Sequence, residues 1–248
     1  MRARIATVFL CVVLAPFGLA CIYWAAVSLG RSDYATVLVS LGAAIFTLGF
    51  AAFLVIVASG KVTPRVTLQQ SGLLIRPDRR VDALLTTSTF AAFLTMALYA
   101  VLAPLDMVDI PAPRGNHWYS VIACAAGALA GLVSIRQICK RRGVSYLFLT
   151  VDELEIGSAT SSAKRSWNEV TDVSDRPRNS GRSTGTTYVI TNDGRSRTLP
   201  TDWYTPGGLA LRDLVRLYLH HPESRSELAD DRGLERLETV FRDPRRAA

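Results

Sequence analysis

The stretch RVTLQQSGLLIRPDRR, residues 65–80, decides how the rest of the chain is interpreted. Val66 and Leu68 stand two residues apart, the polar sequence Gln-Gln-Ser-Gly follows, and Leu73 and Ile75 are again two residues apart. Apolar residues at every second position on both sides of a short polar sequence are typical of a β-hairpin. We therefore predict a hairpin at residues 65–76.

This hairpin lies between two of four long apolar runs, which cover residues 5–29, 35–59, 83–105 and 117–135. None of the four contains Lys, Arg, Asp or Glu. A helix needs about 20 apolar residues to cross a hydrocarbon core of about 30 Å. Because backbone polar groups in lipid must be paired internally, the runs are predicted to be four transmembrane helices. A cleaved signal peptide is the alternative for the first run, but its apolar residues continue too far for that.

The basic residues near the ends of the runs are unevenly distributed. Eleven of them fall on the side of the N-terminus, the 60–82 loop and the end of the fourth run, whereas only Arg31 and Arg114 fall on the other side. Loops rich in Lys and Arg stay in the cytoplasm. The sequence thus predicts a multi-pass protein of the inner (plasma) membrane with both termini cytoplasmic.

The net charge of +7 does not indicate a nucleic-acid partner. Residues 1–142 hold 13 basic and 5 acidic residues, whereas residues 143–248 hold 15 and 16. The excess charge therefore lies at the predicted membrane boundary, where it is expected to meet anionic lipid headgroups. The residues expected to do so are Arg79, Arg80, Arg136, Lys140, Arg141 and Arg142.

After the fourth run, the chain has the pattern of a small β-rich domain. Strands are predicted in YLFLTVDELEIG (146–157) and in SWNEVTDV (166–173), and TYVITNDGRSRTL (187–199) predicts a hairpin with an Asn-Asp-Gly turn. Apolar residues at i, i+3 and i+4 spacing then predict an amphipathic helix from about residue 209 to residue 220. A second, weaker helix is predicted in GLERLETVF, residues 233–241.

In their order, these three motifs resemble the bacterial pleckstrin-homology-like (PH-like) domains, which are often carried by multi-span membrane proteins. The resemblance covers roughly residues 144–220 and implies a seven-stranded, strongly bent sheet capped by a C-terminal helix. It implies no particular ligand. Eukaryotic relatives hold inositol phosphates with basic residues after the first strand, but this chain has Asp152 and Glu153 there, so that mode of binding is not expected.

The predicted architecture is therefore a four-helix membrane domain at residues 1–142, a PH-like domain at 143–221 and a helical tail at 222–248. VTLQQSGLLI (66–75) also resembles LTVDELEI (149–156), as in a partial repeat, with chance similarity as the alternative. We predict that the hairpin packs onto, or adds strands to, the sheet that begins at residue 146. Gly127 and Gly131 in the fourth run indicate close helix packing, either within the chain or with a second copy in a homo-oligomer.

No arrangement typical of catalysis, of metal binding or of a cofactor is recognisable in the sequence, and the chain is not predicted to be an enzyme. The strongest candidate for a binding loop is residues 176–186, where Arg176, Arg178 and Arg182 suit a phosphate or lipid headgroup. A solvated connection is the alternative for this loop. The predicted function is to present the PH-like domain to an unidentified protein or to lipid headgroups. The alternative is a component of a transporter or channel, with the hydroxyl groups of Thr86, Thr87, Ser88, Thr89 and Thr95 lining its path.

Overall fold

The computed structural model describes residues 2–69, 71–110, 117–141, 143–159, 161–176 and 186–242. The chain divides into two compact units. The first consists of Met1–Val55 and Ala83–Gly143, and the second of Ile56–Asp82 and Val144–Ala248. Each unit therefore contains two separate pieces of the sequence.

Four helices, each long and apolar enough to cross a membrane, make up most of the first unit. They are α1 (Arg2–Gly30), α2 (Tyr34–Ser59), α3 (Arg79–Leu102) and α4 (His117–Arg141). The four predicted spans are confirmed as helices of this length and composition. Helix α3 begins at Arg79, before the apolar run that starts at residue 83, and α4 continues beyond residue 135 to Arg141. Charged residues mark where the hydrocarbon is expected to end, and the helical hydrogen bonds continue beyond that point.

Small residues allow these helices to pack closely. A methyl group at Gly42 of α2 would overlap the hydroxyl of Thr95 on α3, and one at Gly49 would overlap the hydroxyl of Ser88. On α4, Gly127 lies against Met96 and Gly131 against the ring of Phe93, both on α3. The close packing predicted for Gly127 and Gly131 thus occurs within the chain.

The second unit contains two antiparallel sheets. The first has five strands in the order β1 (Arg65–Gln69), β2 (Gly72–Arg76), β3 (Tyr146–Leu149), β4 (Glu153–Gly157) and β5 (Ser162–Ser166). The second has three, in the order β6 (Val170–Ser174), β7 (Thr187–Thr191) and β8 (Ser196–Leu199). The predicted turn between β7 and β8 is present, with Gly194 at a φ of 76°. Six of the described strands lie within residues 144–220, where the resemblance implies seven, and the 65–76 hairpin adds two more to give eight.

Two helices, α5 (Leu209–His220) and α6 (Asp231–Arg242), complete the second unit, and a 3₁₀ segment (Pro222–Ala229) connects them. Their apolar residues join those of both sheets in one core. Trp167 is almost fully buried in it, donates its Nε1–H to the carbonyl of Thr150 at 2.9 Å, and has the guanidinium of Arg225 5.0 Å from its ring centre. The unit is therefore more extensive than the predicted range of 143–221, since it also includes the hairpin and α6.

Candidate functional site

The junction of β2 and β3 is the feature that unites the hairpin with the tail. Leu73, Leu74 and Ile75 pair with Leu149, Phe148 and Leu147, respectively. The strands come so close at Gly72 that a methyl group there would overlap the carbonyl oxygen of Leu149. The prediction that the hairpin adds strands to the tail sheet is confirmed. Two neighbouring strands of this sheet are connected in sequence by α3 and α4 instead of by a turn.

Asp78 and Asp82 connect several parts of the second unit at the start of α3. Asp78 precedes the helix and accepts hydrogen bonds from the backbone N–H of Arg80 at 2.7 Å and of Thr63 at 3.0 Å. Asp82 accepts from the guanidinium of Arg65 at 2.8 Å and from the backbone N–H of Val144 at 3.0 Å. The two carboxylates thus link the chain before β1, β1 itself and the chain before β3.

The charge of Asp78 is stabilised by these contacts. Burial acts to raise the pKa of its carboxyl group, but the hydrogen bonds from Thr63, Arg80 and Val81 outweigh this, and the pKa lies below its ordinary value. A carboxylate before the first turn also satisfies N–H groups that have no partner within the helix. The sequence signal for this cap is Asp78 after Pro77, immediately before the first helical residue, and an apolar run that begins at residue 83 does not reveal it.

The basic residues predicted to meet lipid occupy two helix ends. Arg79 and Arg80 are exposed in the first turn of α3, and Arg136 and Lys140 are exposed one turn apart near the end of α4. None of these four forms an ion pair within the described part of the chain. Arg141 is half-buried and Arg142 lies outside the described residues.

The predicted phosphate-binding loop is only partly described. Arg176 is exposed, and its Nε lies 3.8 Å from a carboxylate oxygen of its neighbour Asp175. Asp175 also lies 3.5 Å from Arg212 of α5. Arg178 and Arg182 fall outside the described residues, so the grouping of the three arginines remains a prediction.

The hydroxyl groups considered for a transport path lie in two different environments. Ser88 and Thr95 are enclosed against the glycines of α2, and their hydroxyl oxygens have no hydrogen-bond partner among the described residues. Thr86 and Thr87 line a groove of about 940 Å³ whose other lining residues, from α2, α3 and α4, are apolar. Such a groove suits lipid chains or apolar helices, whereas an ion requires polar ligands.

Among the residues that the structure describes, no group of three or more His, Cys, Asp and Glu side chains is placed to hold a metal ion. Comparisons of the chain with protein-family models, with curated proteins and with solved structures found no match. The resemblance to PH-like domains therefore stays a prediction from the sequence motifs.

Proposed function

We propose that this chain is a non-enzymatic integral membrane protein of the inner membrane that presents a PH-like domain at the cytoplasmic surface, where the domain binds another protein or lipid headgroups. The pairing of β2 with β3 carries the proposal, because it builds one domain from the loop between α2 and α3 and from the chain after α4. A domain built in this way has three covalent connections to the helices. Both termini are proposed to be cytoplasmic, in accord with the distribution of basic residues.

The connections to the helices are short. Five residues separate α2 from β1, two separate β2 from α3, and four separate α4 from β3. Since a residue spans at most about 3.6 Å, none of these connections can let the domain move far from the helix ends. A binding module held in this way meets its partners at the membrane surface and not in the bulk cytoplasm.

Crosslinking of the full chain in native membranes, followed by identification of the captured proteins, tests the protein-binding part of the proposal. The full chain is the appropriate sample, because a tail that begins at residue 143 lacks the buried Leu73 and Ile75 of β2. A specific partner captured through the second unit is the expected result. If no protein is captured and the chain retains all lipids equally, the proposal is wrong.

The lipid-binding part of the proposal predicts that Arg136 and Lys140 bind anionic lipid headgroups in preference to neutral ones. Each basic residue near a membrane surface contributes about 1 kcal/mol, so replacing both with Gln should weaken the binding of anionic lipid by about thirtyfold. The measurement is the ratio of phosphatidylglycerol to phosphatidylcholine retained when the protein is purified from vesicles containing both. The control is the Lys164→Gln, Arg195→Gln variant, which removes two exposed basic residues from the strand region of the second unit. An unchanged ratio in the α4 variant contradicts the assignment.

A further inference from the structure

Helix α6 packs against strand β1, but the outer backbone edge of β1 differs from those of the other outer strands of the two sheets. Exposed strand edges are usually protected by charged residues, bulges or covering elements. The other edges have such features, namely Lys164 and Arg165 on β5, an irregular register between Val170 and Asp172 on β6, and Arg197 on β8. The pairing of β1 with β2 is regular throughout, and the one charged residue of β1, Arg65, is bound to Asp82. Leu68, near the end of β1, is 38% exposed.

The backbone of β1 offers hydrogen-bonding groups on its outer side. Gln69 pairs with Gly72 across two residues, and such a turn is closed by a hydrogen-bonded pair. Hydrogen-bonded pairs alternate along an antiparallel ladder, so Thr67 and Arg65 also bond to β2, while the N–H and C=O groups of Val66 and Leu68 point outward. No described residue bonds to those groups. They form a short open edge.

This edge is complementary to itself. If two copies pair antiparallel about Thr67, Val66 of each copy lies opposite Leu68 of the other, and these are the residues whose backbone groups are available. The same register places Thr67 opposite Thr67, which is a favourable cross-strand pair, and Arg65 opposite Gln69. No like charges face each other. An interface between two identical copies needs such complementarity, because the same patch serves both sides.

We propose that β1 is a homodimerisation edge, at which two copies of this chain pair antiparallel about Thr67 and join their five-stranded sheets. The inference rests on the proposed function, in which the domain binds another protein, and it names that protein as a second copy of this chain. Only a few hydrogen bonds form in this contact. Confinement to a membrane raises the local concentration of the chain, which favours such a small interface.

A cysteine at the symmetry axis tests the register. In the dimer, the Cα atoms of the two Thr67 residues lie about 4.5 Å apart, which is within the range that a disulfide bridges. Thr67→Cys in the full chain, oxidised in native membranes, should therefore run as a disulfide-linked dimer on a non-reducing gel. Gln69→Cys is the matched control on the same strand, because its two copies would lie about 14 Å apart. Wild type, with its four native cysteines, gives the background.

The variant Leu68→Lys tests whether the edge itself holds the dimer. The side chain of Leu68 is exposed, so the monomer should tolerate lysine there. In the dimer, the lysine would lie opposite Val66 of the other copy, and a charge on a strand edge opposes pairing. Added to Thr67→Cys, it should lower the dimer fraction by about tenfold. The proposal is overturned if Thr67→Cys forms no more disulfide-linked dimer than Gln69→Cys does. It is also overturned if adding Leu68→Lys leaves the dimer fraction of Thr67→Cys unchanged. Capture of a different protein at position 67 also overturns the self-pairing, but it would leave the proposed binding function intact.

Discussion

Replacing residues 65–76 by a Gly/Ser linker of the same length is expected to unfold the second unit while the four helices remain. Leu73, Leu74 and Ile75 are all buried, and burying an apolar side chain contributes about 1.5–3 kcal/mol. Their loss removes several kcal/mol from a domain whose total stability is expected to be about 5–15 kcal/mol. The replacement also leaves the buried Leu147 and Leu149 of β3 with a neighbouring strand on one side only.

Limited proteolysis of the full chain in detergent measures this effect. The linker variant should be cut within residues 146–174 and 187–242 at protease concentrations that leave these two segments of the wild type intact. The control is Thr67→Ser, Gln69→Ser, which changes two exposed residues of the same hairpin and should remain resistant. A linker variant as resistant as the wild type would mean that the tail folds without the hairpin.

Asp202→Asn is expected to stabilise the second unit at neutral pH. Asp202 lies in a 3₁₀ turn (Thr201–Trp203) after β8, and burial raises its pKa to about 6, although N–H groups of the turn partly offset this. The folded state therefore holds the proton more tightly than the unfolded state, whose carboxyl has its ordinary pKa of 3.8. The resulting cost is absent at low pH, grows as the pH rises between the two values and is complete above about pH 6.

The size of this cost follows from the two pKa values. A difference of about two units corresponds to about 2–3 kcal/mol, which Asn should recover because it carries no charge. Denaturant unfolding followed by tryptophan fluorescence should show this gain at about pH 7.5 and little gain at about pH 4. The control is Asp193→Asn, because hydrogen bonds hold the pKa of that carboxyl below its ordinary value. Equal gains for Asp202→Asn at both pH values would contradict this explanation.

The sequence predicted the elements whose signals are local. The hairpin at 65–76, the Asn-Asp-Gly turn and the helix Leu209–His220 each follow from residues within a short window, and all three are present. The strand predicted in SWNEVTDV begins only at Val170, because Trp167–Glu169 form a 3₁₀ segment that separates β5 from β6. The length of the four apolar helices was equally predictable, because the thickness of the hydrocarbon core sets it.

The other features depend on contacts between distant residues. The local sequence at residues 65–76 does not indicate that β2 pairs with β3. Only a weak sequence similarity to residues 149–156 suggested this pairing. The hydrogen bond from Val144 to Asp82 joins residues 62 positions apart and requires the folded sheet. Similarly, the half-buried position of Asp202 is set by the surrounding elements, since its local sequence, Thr-Asp-Trp, resembles that of an exposed turn.

The central claim is that one sheet is formed from residues on both sides of α3 and α4, and a disulfide across β2 and β3 tests it most directly. Leu74 and Phe148 are Cα partners, and antiparallel partners lie within the range of about 4.4–6.8 Å that a disulfide spans. In the variant Leu74→Cys, Phe148→Cys, mass spectrometry should find the two peptides linked within one chain. Leu74→Cys combined with Thr198→Cys, on β8 of the other sheet, should give no such link. Failure of the first pair to link under oxidation would contradict the shared sheet.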